Sequence, residues 1–251
     1  RAPTLNVDVY EATVAALVDA TVRFDVDDFE EKVRRLPLLG GATTILDRVV
    51  TPTLREIGDK WHNGDLSIAQ ERMASQRMST FLRDILNLTT DNDSRERVVL
   101  SCFADEEHEL GLLATAIRLA TWGYRPVYLG GRMPPSALRN AVESVNPVMV
   151  ALSVTLTPSR ARARELAEEY GAACGETPWV VGGPGVAAIE DLIRKYGGRV
   201  VSVEDTTALH ALVRELRDGK RPRAGTNNTG STGTTQAAKR GGSRETTEGK
   251  K

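Results

Sequence analysis

Cysteine is scarce in this chain of 251 residues, which contains only Cys102 and Cys174. Two thiols that lie in or beside apolar segments, far apart in sequence, argue against a disulfide framework and indicate reduced, buried cysteines. Long apolar runs are also lacking, since none approaches the roughly 20 residues that a membrane-spanning helix needs. No signal-peptide pattern is present. We therefore expect a cytoplasmic protein without a membrane partner.

Neither sign of charge is in excess, because 33 Lys and Arg face 34 Asp and Glu, for a formal net charge of −1. This balance gives no electrostatic reason to expect nucleic-acid binding. It conceals an asymmetry: residues 219–251 carry a net charge of about +6 and the remainder about −7. With almost nothing to bury, residues 219–251 are predicted to form a disordered basic tail. The chain begins with Arg1, and we expect a further segment to precede it.

Residues 8–88 carry apolar side chains at helical spacing in four successive segments, at about 10–22, 25–36, 42–62 and 67–88. Pro52 is predicted to bend the third helix. Ser67, with Gln70 three residues later, predicts a capping box at the start of the fourth. Four helices joined by short loops predict a four-helix bundle over residues 1–90.

After a polar linker at about 89–96, strand-like and helix-like segments alternate. Strands are predicted at 97–103, 125–129, 147–153, 178–182 and 199–203, and helices at about 111–122, 134–145, 158–174, 185–196 and 205–217. This alternation predicts an α/β domain over residues 96–218, with a five-stranded parallel sheet of the flavodoxin-like or Rossmann-like type. Right-handed crossovers favour the strand order 2-1-3-4-5.

The loop after the first predicted strand contains His108, one of only three histidines. Taken alone, it could equally be a hydrogen-bonded loop residue. Glu106, however, can accept a hydrogen bond from the ring nitrogen that is not used for ligation, and Gly111 lets the backbone approach a large flat ligand. Ligands of open α/β sheets bind at the carboxyl ends of the strands. The loop therefore predicts a ligand site in which His108 binds a metal.

Two further segments fall at the carboxyl ends of predicted strands. They are Ser153, Val154 and Thr155 at the third strand, and Gly182, Gly183 and Gly185 at the fourth. Either segment alone is a weak signal, because glycine-rich loops also bind phosphates or simply turn tightly. Together with the histidine loop, they predict one ligand slot along this edge of the sheet.

The spacing of these segments resembles the signature of the B12-binding family. Glu106-x-His108-x-x-Gly111 is followed by 41 residues before Ser153, and 26 residues lie between Thr155 and Gly182. The resemblance implies a cobalamin cofactor with His108 as the lower axial cobalt ligand and the nucleotide tail in the slot. The chain departs from the family in having Glu106 where methyltransferases usually have Asp. The leucine of the family's Ser-x-Leu also comes one place late.

The helical half carries a second pattern, in which nine residues separate Trp61 from Glu71. On its own, this spacing is equally typical of a core tryptophan and a solvated glutamate. Beside the B12-binding signature, it resembles the Trp-x9-Glu motif of CarH-type B12 photoreceptors, where the bundle follows a MerR-type DNA-binding domain. There the tryptophan and glutamate cover the adenosyl ligand, and the next histidine, here His62, binds cobalt after light cleaves the cobalt–carbon bond. The family usually continues Glu-His, whereas Arg72 stands here.

The resemblance implies an adenosylcobalamin-dependent light sensor that changes its oligomeric state and regulates transcription. It implies a homo-oligomer, a dimer or tetramer, that contacts DNA only through a preceding domain or another partner. No catalytic triad, zinc-site spacing or Walker loop is present in the sequence, so no enzymatic activity is predicted. One alternative is a corrinoid carrier that holds methylcobalamin for a methyltransferase. A third is a dimerising regulatory domain that has lost its corrinoid.

Overall fold

Residues 8–201 and 206–220 are described in a computed structural model, and the predicted tail beyond Lys220 lies outside them. The N-terminal part is helical, as predicted. Its elements are α1 (Val9–Val22), α2 (Val26–Arg35), a 3-10 turn (Leu36–Leu38), α3 (Ala42–Ile45), a π-helical turn (Leu46–Val50), α4 (Thr51–His62) and α5 (Ile68–Thr89). Because α3, the π-helical turn and α4 follow one another without a break, they form one continuous helical rod. This third rod packs with the other three, which are α1, α2 and α5.

Local hydrogen bonds explain where two of these helices begin. The Asp8 carboxylate accepts a hydrogen bond from the backbone N–H of Tyr10 at 2.9 Å. The predicted capping box is present, since Ser67 Oγ accepts from the Gln70 N–H at 3.3 Å and Gln70 Oε1 accepts from the Ser67 N–H at 2.8 Å. Such contacts satisfy donors that the first turn of a helix leaves free.

Pro52 follows an irregular turn of the third rod, and the bend predicted there stays a prediction. The five residues Leu46–Val50 form a π-helical turn just before it, and the backbone stays helical through Thr51. Proline has no N–H to donate to the preceding turn. A wider turn just before the proline accommodates the missing hydrogen bond without ending the helix.

The second half is a parallel sheet flanked by helices, as predicted. Its strands are β1 (Arg97–Cys102), β2 (Arg125–Gly130), β3 (Met149–Ser153), β4 (Trp179–Gly182) and β5 (Arg199–Val200). Its helices are α6 (Leu110–Thr121), α7 (Pro135–Val145), α8 (Arg160–Cys174), α9 (Glu190–Lys195) and α10 (Thr206–Lys220). The order β2-β1-β3-β4-β5, with every pair parallel, confirms the predicted topology.

Several predicted boundaries differ from those of the structure. The single helix expected at 185–196 is a 3-10 segment, Pro184–Ile189, followed by the short α9, because Pro184 lacks an N–H and Gly185 packs tightly against the neighbouring loop. The last strand is described over Arg199–Val200, and residues 202–203 of the predicted strand lie outside the described residues. The last helix runs on to Lys220, beyond the predicted start of the tail.

The helical bundle and one face of the sheet share a single hydrophobic core. Successive residues of β1 alternate between faces: Val98 and Leu100 belong to the core formed with α6, α10 and the bundle, whereas Val99 belongs to the core under α7, α8 and α9. The division of the chain near residue 90 remains a prediction, since residues up to 220 form one compact unit.

The two cysteines lie where their apolar neighbours predict. Cys102 and Cys174 are both free and buried. Burial raises the pKa of each thiol to about 12, and the charges of Glu109 and Glu106 add to the effect at Cys102. Among the described residues, no helix is both long and apolar enough to cross a membrane.

The bundle extends beyond the carboxyl edge of the sheet. Arg83 of α5 contacts Glu109 at the start of α6, and Ser94, after α5, contacts Gly123, after α6. These contacts at opposite ends of α6 mean that α5 and α6 run in the same direction. The fifteen residues of α5 that precede Arg83 therefore run on for about 22 Å past the start of α6.

The shared core predicts that the bundle and the sheet unfold together. Ile117 of α6 is fully buried in this core, and Ile117→Ala should lower the free energy of unfolding by about 2–5 kcal/mol. Urea titrations of variants that keep only Trp61, in the bundle, or only Trp179, in the sheet, should report the same midpoint. Leu88→Ala, at an exposed position, is the control and should change stability by less than about 0.5 kcal/mol. Separate transitions for the two tryptophans would contradict a shared core.

Candidate functional site

The loop between β1 and α6, residues 103–109, is here named the histidine loop. Its His108 side chain is 58% exposed, and the ring Nδ1 lies 2.5 Å from Oε1 of Glu106. A carboxylate only accepts hydrogen bonds, so Nδ1 carries a proton, and in the neutral ring Nε2 then keeps a free lone pair. Glu106 thus holds the ring through one nitrogen, as expected, and ligation by the other nitrogen stays a prediction.

Glu106 holds two loops as well as the imidazole. Its side chain is only 3% exposed. Oε1 accepts a second hydrogen bond from the His108 backbone N–H at 2.8 Å, and Oε2 accepts from the N–H groups of Thr155 and Leu156 at 2.6 and 2.8 Å. Burial alone would raise the pKa of Glu106, but the four donors favour its charged form, and its pKa lies below the ordinary value. The carboxylate is therefore ionised at neutral pH.

The predicted serine and glycine segments meet the histidine loop at one edge of the sheet. Cys102, Ser153 and Gly182 are adjacent in the register of β1, β3 and β4. With neighbouring strands about 4.8 Å apart, these three strand ends span about 10 Å. The expected edge of the sheet thus forms, with Ser153 and Gly182 buried at it.

The loops after β3 and β4 pack directly against each other. The Val154 N–H donates to the Gly182 carbonyl at 3.0 Å, and the Gly185 N–H donates to the Val154 carbonyl at 3.1 Å. Gly183 has φ of 107°, and a Cβ there would lie 2.3 Å from the Val154 oxygen. Gly183 and Gly185 therefore make room for a neighbouring loop, and the ligand slot along this edge stays a prediction.

Open space lies beside the histidine loop. A cavity of about 220 Å³ is lined by Phe103, Glu106, Val154, Leu156 and the residues just before α8. Gly111, three residues after His108, also faces open space, since a Cβ there would meet nothing within 4 Å. One free imidazole nitrogen beside a bare stretch of backbone fits a large planar ligand that brings its own metal. The described residues contain no cluster of three or more side chains that could hold a metal alone.

The second predicted group lies at the far end of the bundle. Trp61 and His62 end α4, and Glu71 lies in the first turns of α5, where its carboxylate accepts a hydrogen bond from Ser75 at 2.5 Å. Trp61 is 46% exposed and is therefore not a core tryptophan. Glu71 precedes Arg83 by twelve residues, or about 18 Å along the helix. No hydrogen bond or ion pair between described residues joins this group to His108.

Sequence reasoning missed the residue that follows the histidine. Glu109 accepts hydrogen bonds from Arg83 Nη2 at 2.5 Å, from the Tyr128 hydroxyl at 2.9 Å and from the Gly131 N–H at 2.9 Å. Its partners come from α5, β2 and the loop after β2. Position next to the histidine was the only sequence signal, because these partners lie 19 to 26 residues away.

Both halves of the chain match known families. Residues 96–213 match a family described as "B12 binding domain", and residues 13–83 match a second family with the same description. Each part of the chain is therefore similar to a family of B12-binding domains. This agrees with the histidine, serine and glycine segments at the edge of the sheet.

Curated relatives are of two kinds. The chain is 37% identical over 133 residues to the HTH-type transcriptional repressor CarH of Myxococcus xanthus, covering 53% of this chain and 43% of the relative. It is 33% identical over 177 residues to the repressor CarA of the same organism, covering 68% and 58%. The chain thus spans about half the length of these two relatives. It is also 23% identical over 165 residues to the trimethylamine corrinoid protein of Methanosarcina barkeri, covering 63% and 76%.

A solved structure shares the fold. The monomethylamine corrinoid protein of Methanosarcina barkeri superimposes with a TM-score of 0.63 over 83% of this chain and 97% of that chain, at 17% identity. The likeness shows that this combination of helices and sheet is the architecture of a known corrinoid protein. At this identity it shows the fold alone.

Removing the Glu106 carboxylate should destabilise the protein even without a ligand. Glu106→Ala leaves the part-buried N–H groups of Thr155 and Leu156 without their acceptor, and an unmade hydrogen bond of a buried group costs about 1–3 kcal/mol. Urea unfolding of the ligand-free variant should therefore show a loss of about 2–5 kcal/mol. Glu143→Ala, at an exposed position on α7, is the control. Equal stability of the two variants would refute the bridging role of Glu106.

The close contact at Gly183 predicts a cost beyond that of a positive φ. Gly183→Ala and Gly197→Ala both place alanine at positive φ, but only Gly183 faces a backbone oxygen, whereas Gly197 faces open space. Gly197→Ala should cost about 1–2 kcal/mol, and Gly183→Ala should lose clearly more, because the loops after β3 and β4 must separate. Thermal unfolding of the two variants measures the difference. Similar losses would mean that the contact is easily relieved.

Proposed function

We propose that this protein is a cobalamin-binding, light-responsive regulatory protein in which His108 is the lower axial ligand of cobalt. The observation that carries this proposal is the His108 ring, held by Glu106 through Nδ1 and open at Nε2. A neutral imidazole nitrogen is a good ligand for cobalt. The family matches over both halves of the chain support a corrinoid as the occupant.

The end of the bundle beyond the carboxyl edge of the sheet supplies the other side of the proposed site. In this proposal, Trp61 and Glu71 limit the size of the upper ligand, and His62 is available as a second imidazole ligand. Bound adenosylcobalamin would supply a cobalt–carbon bond that light can break. Bringing His62 toward the histidine loop requires the bundle to move relative to the sheet, and that movement is the two-state element that a signal needs.

The output of the protein is proposed to be control of transcription. Similarity to the repressors CarH and CarA supports a regulator, although this chain spans only about half of each. We propose that a change of oligomeric state carries the signal. DNA would be bound by a segment outside this chain or by another partner.

A corrinoid carrier for a methyltransferase is the second candidate. Similarity to the trimethylamine corrinoid protein over three quarters of that protein favours it. In such a carrier the bundle would swing aside to expose methylcobalamin to a partner enzyme. The pairing of Trp61 with His62 at the end of α4 has no evident use there, and for that reason we prefer the regulator.

Reconstitution in the dark separates the two candidates. The protein is incubated with adenosylcobalamin or with methylcobalamin, freed of excess, and examined by absorption spectroscopy and light scattering before and after green light. We expect uptake of adenosylcobalamin, and a spectral change and a change in mass on illumination. His108→Ala should weaken uptake at least tenfold. His62→Ala should retain dark uptake but lose the two-histidine spectrum after light, whereas His210→Ala, the control, should behave like the parent.

Other outcomes would overturn the proposal. Methyl transfer to a thiol acceptor without any response to light would favour the carrier. Failure of the parent protein to take up either corrinoid would exclude both candidates and leave the third, a regulatory domain without a corrinoid.

A further inference from the structure

Glu109 lies at the start of α6 but does not cap that helix. It occupies the N-cap position without a side-chain hydrogen bond to the first turn. Its carboxylate instead points across the end of β2, where it accepts from Tyr128 and from the Gly131 N–H. A Cβ on Gly131 would lie 3.1 Å from Glu109 Oε1, so a side chain there would crowd this contact. The carboxylate therefore fastens the end of the histidine loop to the sheet.

Arg83 brings the bundle to the same carboxylate. Its guanidinium donates to Glu109 Oε2 at 2.5 Å and stacks over the Tyr128 ring, with its carbon 5.3 Å from the ring centroid. Arg83 is a residue of α5, the helix that also carries Glu71. A displacement of α5 therefore reaches, through Arg83 and Glu109, the residue covalently next to His108.

A second ion pair joins the bundle to α6 near its other end. There Arg118 of α6 contacts Asp47 of the π-helical turn, and the Arg118 side chain is only 7% exposed. Arg83 and Glu109 are 47% and 25% exposed. Water already solvates Arg83, so separating the Arg83 pair costs less than uncovering a buried cation. A bundle that shifts on α6 should thus release Arg83 first.

We propose that Arg83 and Glu109 are positioning residues that couple the place of the helical bundle to the order of the histidine loop. With the bundle docked, Arg83 holds Glu109 and the loop keeps His108 in place; when the bundle shifts, the loop loosens. This coupling deepens the proposed function, since it makes His108 ligation depend on the bundle. The coupling itself is a property of the protein without ligand and can be measured there.

Hydrogen exchange on the ligand-free full chain tests the coupling. Peptides that cover residues 103–111 and 128–132 should exchange about three- to fivefold faster in Arg83→Gln than in the parent, as expected for loss of a partly exposed ion pair. Arg77→Gln is the matched control, because Arg77 is on the same helix and pairs with Glu30 inside the bundle. Arg83→Lys should restore part of the protection. The double variant Arg83→Gln/Glu109→Gln should exchange no faster than the faster single variant.

Two results would overturn the proposal. One is equal exchange of the histidine loop in the Arg83→Gln and Arg77→Gln variants. The other is acceleration spread evenly over α5 and α6, which would mean general loosening of the helix pair.

A ligand readout distinguishes failure of the coupling from failure of the proposed function. The parent and the Arg83→Gln variant are titrated with hydroxocobalamin, and the histidine-bound fraction is read from the absorption spectrum. We expect a lower fraction in the variant. An equal histidine-bound fraction in the two proteins would mean that the coupling does not affect cobalt ligation. No uptake by the parent would refute the proposed function, while the exchange experiment would still decide the coupling.

Discussion

The site depends on one buried carboxylate. Each oxygen of Glu106 accepts two hydrogen bonds, two from His108 and two from the start of the loop after β3. Because a carboxylate has no proton to donate at neutral pH, all four partners must be donors, and the imidazole is thereby fixed in a single tautomer. Loop position and ring chemistry are thus set by the same group.

The need to contact both His108 and the loop after β3 explains why glutamate suits position 106. Glutamate is one methylene longer than the aspartate usual in methyltransferases. The Glu106 carboxylate contacts the N–H groups of Thr155 and Leu156, which follow the neighbouring strand β3. The loop after β3 is in turn held by the glycine loop after β4, through Gly183 and Gly185. The three strand ends therefore form one continuous set of backbone contacts, and His108 is the exposed side chain that they support.

The shared core holds the helical bundle against the sheet. The bundle buries its apolar side chains against α6, and α6 buries its own against the sheet. That packing fixes the direction of α5. Because α5 has 22 residues and α6 has 12, α5 extends past the start of α6. Glu71 lies on that extension, and Trp61 and His62 lie at the end of α4, the helix before it.

Local signals sufficed for the elements and for the pairing of His108 with Glu106, but not for the contacts that join the elements. Helical spacing, the Ser67 capping box and the alternation of strands and helices predicted the bundle and the strand order, because each rests on residues close in sequence. The same reasoning did not predict the 3-10 segment that begins at Pro184, because that segment depends on how Gly185 packs against the loop after β3. Glu109 is the sharpest case. At a helix N-terminus an acid is expected to cap or to favour the helix dipole, and only the assembled fold brings Arg83, Tyr128 and Gly131 within its reach.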